Sequence, residues 1–514
     1  MAGHLFVTRG DLLALTCDAI LVPCGGGPTH SPGYLVRPWN RMNLPLRDGH
    51  LVDPPDGDRR VVLVRDGSDT EPAVWAGHTG EGRKPPWWYA EAARLYLRQS
   101  AEHHSRLTTR PIGDHRPLVA MPFVGAGAGG MSHRKGEVVK AIVHALLDEL
   151  QSVDADIVLV LADDASYSAA QEARRRYMPD WPELDELQMR RADELASKAR
   201  AGRLVLFLGA GVSMGAGLPS WRQMLLDLGS LAGLTEAEIS ELDTLDPRDA
   251  GAVLSGRIGE KRLRWAIEES VGSEHLSLMH QILASLPVAE AMTTNYDTMF
   301  ERAWRDTGRK PSVLPQDGTA TGEHWLLKLH GSLDDHKRPL VLSRSDYLRF
   351  EDSSQALAGL VHAMLLTRHL LFVGYSLSDD NFHRIVHQVQ ATLSESRAAG
   401  DDTTPFGTVL TSERPRLVHE VWHGDIQFLS TVGGASSTPV RRLAILLDYL
   451  AAATSARAEH LMDPTFDAVF TADERALRDK LDEVMAASRA NGVRLGIREA
   501  VDEALSRFRG SPGP

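Results

Sequence analysis

Cysteine is nearly missing from this chain: Cys17 and Cys24 are the only two among 514 residues. Two thiols exclude both a disulfide framework and a four-cysteine zinc site. Long apolar runs are missing too. No stretch approaches the roughly 18 uninterrupted apolar residues that a membrane-crossing helix needs. The opening MAGHLFVTRGD lacks the basic-then-apolar order of a secretory signal. Positive charge is the third shortage, with 56 Lys and Arg against 69 Asp and Glu, a formal net charge of −13. Broad nucleic-acid binding uses basic surfaces and is excluded. The one dense basic run, Arg174-Arg175-Arg176, reads as the solvated face of a helix. His383 and His387 stand four apart, but no cysteines accompany them, and they read as surface residues rather than metal ligands. These absences describe a cytoplasmic protein with no metal, no membrane and no nucleic-acid partner.

What is present is glycine at the ends of apolar runs. The length suggests two or three domains. LVLFL at 204–208 stops abruptly at Gly209-Ala210-Gly211-Val212-Ser213, and Gly217-Leu218-Pro219 follows. A buried parallel strand reads as such a run, and a glycine-rich exit lets backbone amides approach a phosphate. The helix expected next, with Trp221, Met224, Leu225 and Leu228 on one face, points its positive end the same way. Three further segments repeat this grammar: EAMTTNYD at 290–297, LLKLHGS at 326–332 and LLFVGYS at 370–376, the last followed by LSDDN. In a doubly wound α/β sheet, ligands bind beyond the carboxyl ends of the strands. Four strand ends carrying Gly, Ser, Asn, Asp and His describe one dinucleotide-sized cleft.

GAGVS with GLP, TTNYD, KLHGS and GYSLSDDN resemble, in order and spacing, the NAD-binding domain of the sirtuins, and most of all the sirtuin-like proteins of bacterial antiphage defence that destroy NAD. The resemblance covers about residues 190–455. It implies an α/β fold, a Rossmann-like sirtuin domain at 186–440 with a helical insertion near 230–285, where Thr235 and Glu238 have capping-box spacing. GTVLT at 407–411 is expected as its last strand, and a helical tail follows at 441–514. The activity implied is NAD hydrolysis at the nicotinamide–ribose bond, by an antiphage effector that depletes cellular NAD when triggered. NAD is then a substrate rather than a resident cofactor, and no metal takes part. By the same resemblance His330 sits beside the nicotinamide ribose, Asn295 holds a ribose hydroxyl and a water, and Asp297 accepts a bond from the carboxamide. Thr294 stands where sirtuins usually carry glutamine and has a shorter reach. Gly209, Ala210, Gly211 and Ser213 hold the pyrophosphate. Gly374 and Ser376 approach the adenosine half, with Asp380 or Asn381 near its ribose, and Arg222 meets a phosphate or the nicotinamide-side ribose, or forms a surface salt bridge. Sirtuin deacylases generally carry a zinc ribbon of four cysteines, which this chain does not hold. A lysine deacylase, an ADP-ribosyltransferase and a non-catalytic NAD sensor are the alternative readings.

The first 178 residues have a pattern of their own. VTRGDLL at 7–13 precedes CDAILVP at 17–23, and LVAMPF at 118–123 enters a glycine-rich run, Gly125-Ala126-Gly127-Ala128-Gly129. This segment resembles the macro domain, an α/β module that binds ADP-ribose. The resemblance implies a diphosphate on the Gly125–Gly129 loop, and Asp18, or Asp11 nearby, on the adenine amine. Pro23-Cys24-Gly25-Gly26 replaces the asparagine-rich loop of catalytic macro domains, so binding of ADP-ribose or a cyclic nucleotide is expected rather than its hydrolysis. A homo-oligomer held inactive until a phage-derived or partner-protein trigger arrives completes the expectation.

Overall fold

A computed structural model describes residues 3–24, 46–47, 50–51, 60–68, 71–78, 84–106, 116–127, 130–353, 355–398, 405–414, 417–422, 424–433, 438–455, 458–490, 493–506 and 508. Ala128 and Gly129 lie outside these residues, as do Gly25 and Gly26. The chain divides into two compact α/β units. The first comprises Met1–Glu183 and Ala451–Pro514 with the three residues Asp306–Gly308; the second comprises Leu184–Arg305 and Arg309–Leu450. The segment expected as a separate tail from residue 441 is thus shared: it packs with the second unit up to Leu450 and with the first from Ala451 onward.

In the first unit, β1 (Leu5–Arg9), β2 (Ala19–Cys24), β5 (Val61–Arg65), β6 (Ala73–His78), β7 (Leu118–Pro122) and β8 (Asp156–Leu161) form one sheet in the order β1-β8-β7-β2-β6-β5, with a two-residue ribbon of β3 (Leu46–Arg47) and β4 (His50–Leu51) apart from it. All neighbours run parallel except β5, which is antiparallel to β6. Both faces are covered, so the strands read as continuous apolar runs rather than alternations. Helices Pro86–Ser105 and Lys135–Glu149 bury Tyr96, Leu97, Val139 and Ile142 in that core. Phe466, Val469 and Phe470, from far along the chain, complete it. Arg174 departs from the solvated face expected of the basic run. It is buried, donating to the Leu5 carbonyl (2.8 Å) and to Gln171 (2.7 Å), because its position faces β1 while Arg175 and Arg176 reach Glu172 at the surface.

The second unit has a fully parallel sheet of β9 (Leu204–Leu208), β10 (Glu290–Thr293), β11 (Ser312–Leu314), β12 (Trp325–Lys328), β13 (His369–Val373), β14 (Gly407–Thr411) and β15 (Ile426–Ser430), ordered β11-β12-β10-β9-β13-β14-β15. The sheet extends one strand beyond β14, the last strand expected. The extra edge strand, IQFLS, is short and only half-buried, too weak a pattern to read alone. Strand order reverses at β9, whose neighbours β10 and β13 lie on opposite sides, and that is where a doubly wound sheet opens a crevice. Five helices lie between Trp221 and Ser285, and the first four bury Met224, Leu228, Leu242, Leu254, Leu263 and Ile267 in a core that Tyr296 and Leu342 join. The second of these helices, Glu236–Leu242, starts in the capping box of Thr235 and Glu238.

Candidate active site

The carboxyl ends of β9, β10, β12 and β13 carry the four motifs. Glycine is required where β9 and β13 exit. A Cβ on Gly209 would stand 2.3 Å from the Gly374 carbonyl oxygen, and one on Gly374 would stand 2.5 Å from the Val212 nitrogen. Gly374 also has φ +64°, a conformation that L side chains rarely adopt. This close approach consumes amides expected at the pyrophosphate. Gly209 N–H donates to the Val373 carbonyl (3.0 Å) and Gly211 N–H to that of Gly374 (3.0 Å). Val212 N–H donates to Gly209 (3.1 Å) and Ser213 N–H to Ala210 (2.9 Å). Four of the five amides therefore tie the loop to itself and to β13.

Ser213 departs from its expected phosphate role in the same way. Its buried hydroxyl donates to Asp297 Oδ2 (2.9 Å) and lies 3.4 Å from Asn295 Nδ2 and 3.5 Å from His280 Nε2. His280 lies outside the four motifs. It sits in a capping box with Ser277, whose backbone N–H donates to His280 Nδ1 (3.2 Å), so the ring's proton belongs on Nε2, toward Ser213. Burial pulls the His280 pKa down to about 4, against the opposing charge of Asp297. The neutral ring, the Ser213 hydroxyl and Asp297 form one network that fixes the Asn295 amide. Asp297 Oδ1 also accepts from Met299 N–H (3.0 Å), starting the helix Met299–Asp306, so each of its oxygens already holds a donor.

Thr293 and Lys328 are register partners on adjacent parallel strands, so Asn295 and His330, each two residues further on, leave the sheet at one level. Asn295 N–H donates to Thr293 Oγ1 (2.9 Å). His330 is buried, with Nε2 3.1 Å from Asp379 Oδ2 and its ring edge-on to Tyr347 at 5.2 Å. The Tyr347 hydroxyl donates to the same carboxylate oxygen (3.3 Å), and Phe382 N–H to the other (3.0 Å). Burial alone would raise the Asp379 pKa, but the hydrogen bond and charge of His330, with these two donors, hold it below the ordinary carboxyl value. With Nε2–H turned to Asp379, Nδ1 is the ring's acceptor.

Under this level Lys328 is 1% exposed and Glu301 3%, paired at 2.9 Å. The same ammonium donates to the carbonyls of Tyr296 (3.2 Å) and Asp297, clamping the Asn295 turn onto the strand that carries His330.

Other expected contacts fall outside this cluster. Arg222 is 69% exposed and paired with Asp243 (2.6 Å), which is the surface salt bridge. Asp380 is exposed and paired with Arg248; its neighbour Asp379 is the residue that reaches the site. Asn381 is buried with no partner for Nδ2, Ser376 shares a hydrogen bond with Ser378 (2.6 Å), and Thr294 is half-buried beside Asn295. A cavity of 470 Å³ lies beside the turn after β12, lined in part by Leu314, Pro315, Leu329, Gly331 and Leu340. In the first unit, Asp18 is at the amino end of β2, where its carboxylate accepts from Leu118 N–H (2.7 Å). The Gly125 turn follows the carboxyl end of the parallel β7, so Asp18 is at the wrong end of the sheet for a ligand there. Asp11, after β1, is at the right end and accepts from Leu13 N–H (3.0 Å). No group of three or more metal-ligating side chains occurs among the described residues. No described helix is long and apolar enough to cross a membrane.

A parallel sheet with crossing glycines at its switch point, and with Asn and His on neighbouring strand ends, is a Rossmann-like α/β unit whose crevice suits a nucleotide. Residues 289–422 match the family profile of the SIR2-like domain. The chain is 33% identical over 205 residues to the NAD(+) hydrolase ThsA of Enterococcus faecium, covering 38% of this chain and 42% of that one. It is 26% identical over 196 residues to ThsA of Cytobacillus dafuensis, 37% of this chain and 38% of the relative. To Defense-associated sirtuin 2 of Bacillus subtilis it is 26% identical over 210 residues, 40% and 21% of the two chains. The chain therefore spans less than half the length of these relatives.

Proposed function

We propose that the second unit hydrolyses NAD at the nicotinamide–ribose bond, and that the chain is an antiphage effector that depletes NAD when triggered. The observation that carries this reading is the paired placement of Asn295 and His330 beyond the Thr293–Lys328 register, each held by buried partners. The similarity to proteins named NAD(+) hydrolases supports it. In the reaction the bond between ribose C1′ and the nicotinamide nitrogen breaks, and its electron pair leaves with nicotinamide. Positive charge develops on the ribose, and a water oxygen bonds to C1′. The Asn295 amide offers both donor and acceptor for a ribose hydroxyl and that water. His330 Nδ1 takes the water's proton, while Asp379 steadies the resulting imidazolium. A lysine deacylase is disfavoured because the chain's two cysteines, both buried in the first unit with thiols pushed up in pKa by burial, supply no four-cysteine zinc ribbon. Asn295→Ala and His330→Ala are each expected to abolish nicotinamide release, measured by chromatography, with circular dichroism unchanged. Full turnover by either variant would refute the assignment.

The same proposal makes the first unit the macro-like sensor of an ADP-ribose-like or cyclic nucleotide, in a homo-oligomer that restrains the enzyme. Support comes from the turn after β7. Gly125 has φ +87° and no room for a Cβ against Tyr89, whereas a Cβ at Gly127 would meet nothing within 4 Å. A ligand there activates the enzyme only by binding the active state more tightly.

A further inference from the structure

Several cations in the first unit are matched to carboxylates. Arg65 pairs with Glu71, Arg94 with Asp148, Arg98 with Glu149, and Arg116 with Asp154. Arg60 and Lys84 differ: among the described residues neither has a carboxylate within ion-pair distance. Both lie over the same indole instead. The Arg60 guanidinium is 4.1 Å from the Trp88 ring centre and 5.2 Å from that of Trp87, and the Lys84 ammonium is 5.0 Å from Trp88. Arg60 Nη1 is buried without an acceptor. Two like charges gathered on one ring, in a chain of net charge −13, repel one another, and aromatic faces offset only part of that.

The place of this cluster matters. Arg60 leads into the antiparallel β5, and its carbonyl accepts from His78 N–H (2.8 Å) at the carboxyl end of β6. Trp88 Nε1 donates to the His78 carbonyl (3.3 Å), and the next residue, Tyr89, lies against Gly125. The first turn of the helix Pro86–Ser105 thus carries the cations on one side and the glycine turn on the other, at the end of the sheet where α/β folds bind ligands. Trp87 is 58% exposed, an open face on which a planar group can stack. A guanidinium stacked by its face keeps its N–H edge for an anion, and arginine matches phosphate oxygens in that plane.

We propose that Arg60 and Lys84, mounted on Trp88 beside Trp87, form a phosphate-binding platform through which the first unit takes a phosphorylated nucleotide. The proposal rests on, and narrows, the reading of that unit as a nucleotide sensor. The phosphate seats between the two cations and supplies the acceptor that Arg60 Nη1 lacks, and the aromatic group stacks on Trp87.

Fluorine NMR on the full-length chain labelled with 5-fluorotryptophan tests it, with Trp87→Phe and Trp88→Phe assigning the two signals. Inorganic pyrophosphate and ADP-ribose are titrated separately. Both probes are expected to move the Trp87 and Trp88 signals saturably. In Arg60→Gln/Lys84→Gln the apparent affinity is expected to fall about tenfold or more, since each lost charged hydrogen bond is a substantial loss, while the remaining tryptophan signals stay in place and report an intact fold. The platform is refuted if neither probe moves the two signals, or if the double variant responds with unchanged affinity. Movement with pyrophosphate but not with ADP-ribose keeps the platform and overturns the ADP-ribose reading of the sensor.

Discussion

At the scale of single residues, the site is a set of side chains held in place by buried partners. Ser213 donates its O–H to Asp297 and presents its oxygen to Asn295 and His280, so a hydroxyl expected at the phosphate is the pivot of a buried network. Asn295 and His330 were legible because they sit inside TTNYD and KLHGS. His280 was not, since nothing in HLSLMHQ says that its ring turns inward. Asp379 was hidden by its neighbour: in SDDN both aspartates look alike, and only the helix start decides which carboxylate faces His330 and which faces Arg248. The buried His280 yields a prediction with a definite sign. The unfolded chain takes up its proton near pH 6.5, and the folded site resists it down to about pH 4. The unfolded state therefore binds more protons across that window, and stability falls as pH drops through it. His280→Gln is expected to flatten this part of the pH–stability profile measured by denaturant unfolding; a profile as steep as wild type would show that His280 does not titrate in this way.

At the scale of elements, β10 and β12 deliver the two candidate catalytic residues, and the Lys328–Glu301 pair joins their ends. Sequence placed Lys328 in a motif but could not show it wholly buried beneath the Asn295 turn. Burial pushes the Glu301 carboxyl up in pKa, so the pair stands only while Lys328 opposes it. Lys328→Met leaves that carboxylate unmatched, at an expected cost of about 3–5 kcal/mol. Adding Glu301→Leu removes the stranded charge and is expected to restore much of the stability. Urea unfolding of both variants checks this, and a single variant with the wild-type midpoint would contradict it.

At the scale of the whole chain, the first unit is closed by residues that come last. Phe466 and Val469 are fully buried in its core, Lys140 donates to the Ala468 carbonyl (3.0 Å), and a Cβ on Gly136 would stand 2.8 Å from the Phe466 backbone. A chain ending at Leu450 is therefore expected to unfold its first unit more readily. The check is hydrogen exchange in the helix Lys135–Glu149, which should accelerate; unchanged protection there would mean that the segment is dispensable.

The amino-acid sequence alone determined the α/β class, the strand ends that carry the motifs, the capping box at Thr235 and the pairing of Asn295 with His330 as candidate catalysts. The first three follow from local periodicity and turn chemistry, and the last from what the resemblance to sirtuins implies for TTNYD and KLHGS. Only tertiary structure decided that Ser213 serves Asn295, that Asp379 rather than Asp380 holds His330, that Asp18 stands at the far end of its sheet, and that residues from 451 onward finish the first core. Each depends on which distant backbone lies alongside, and contacts between residues far apart in the chain leave no local period to read.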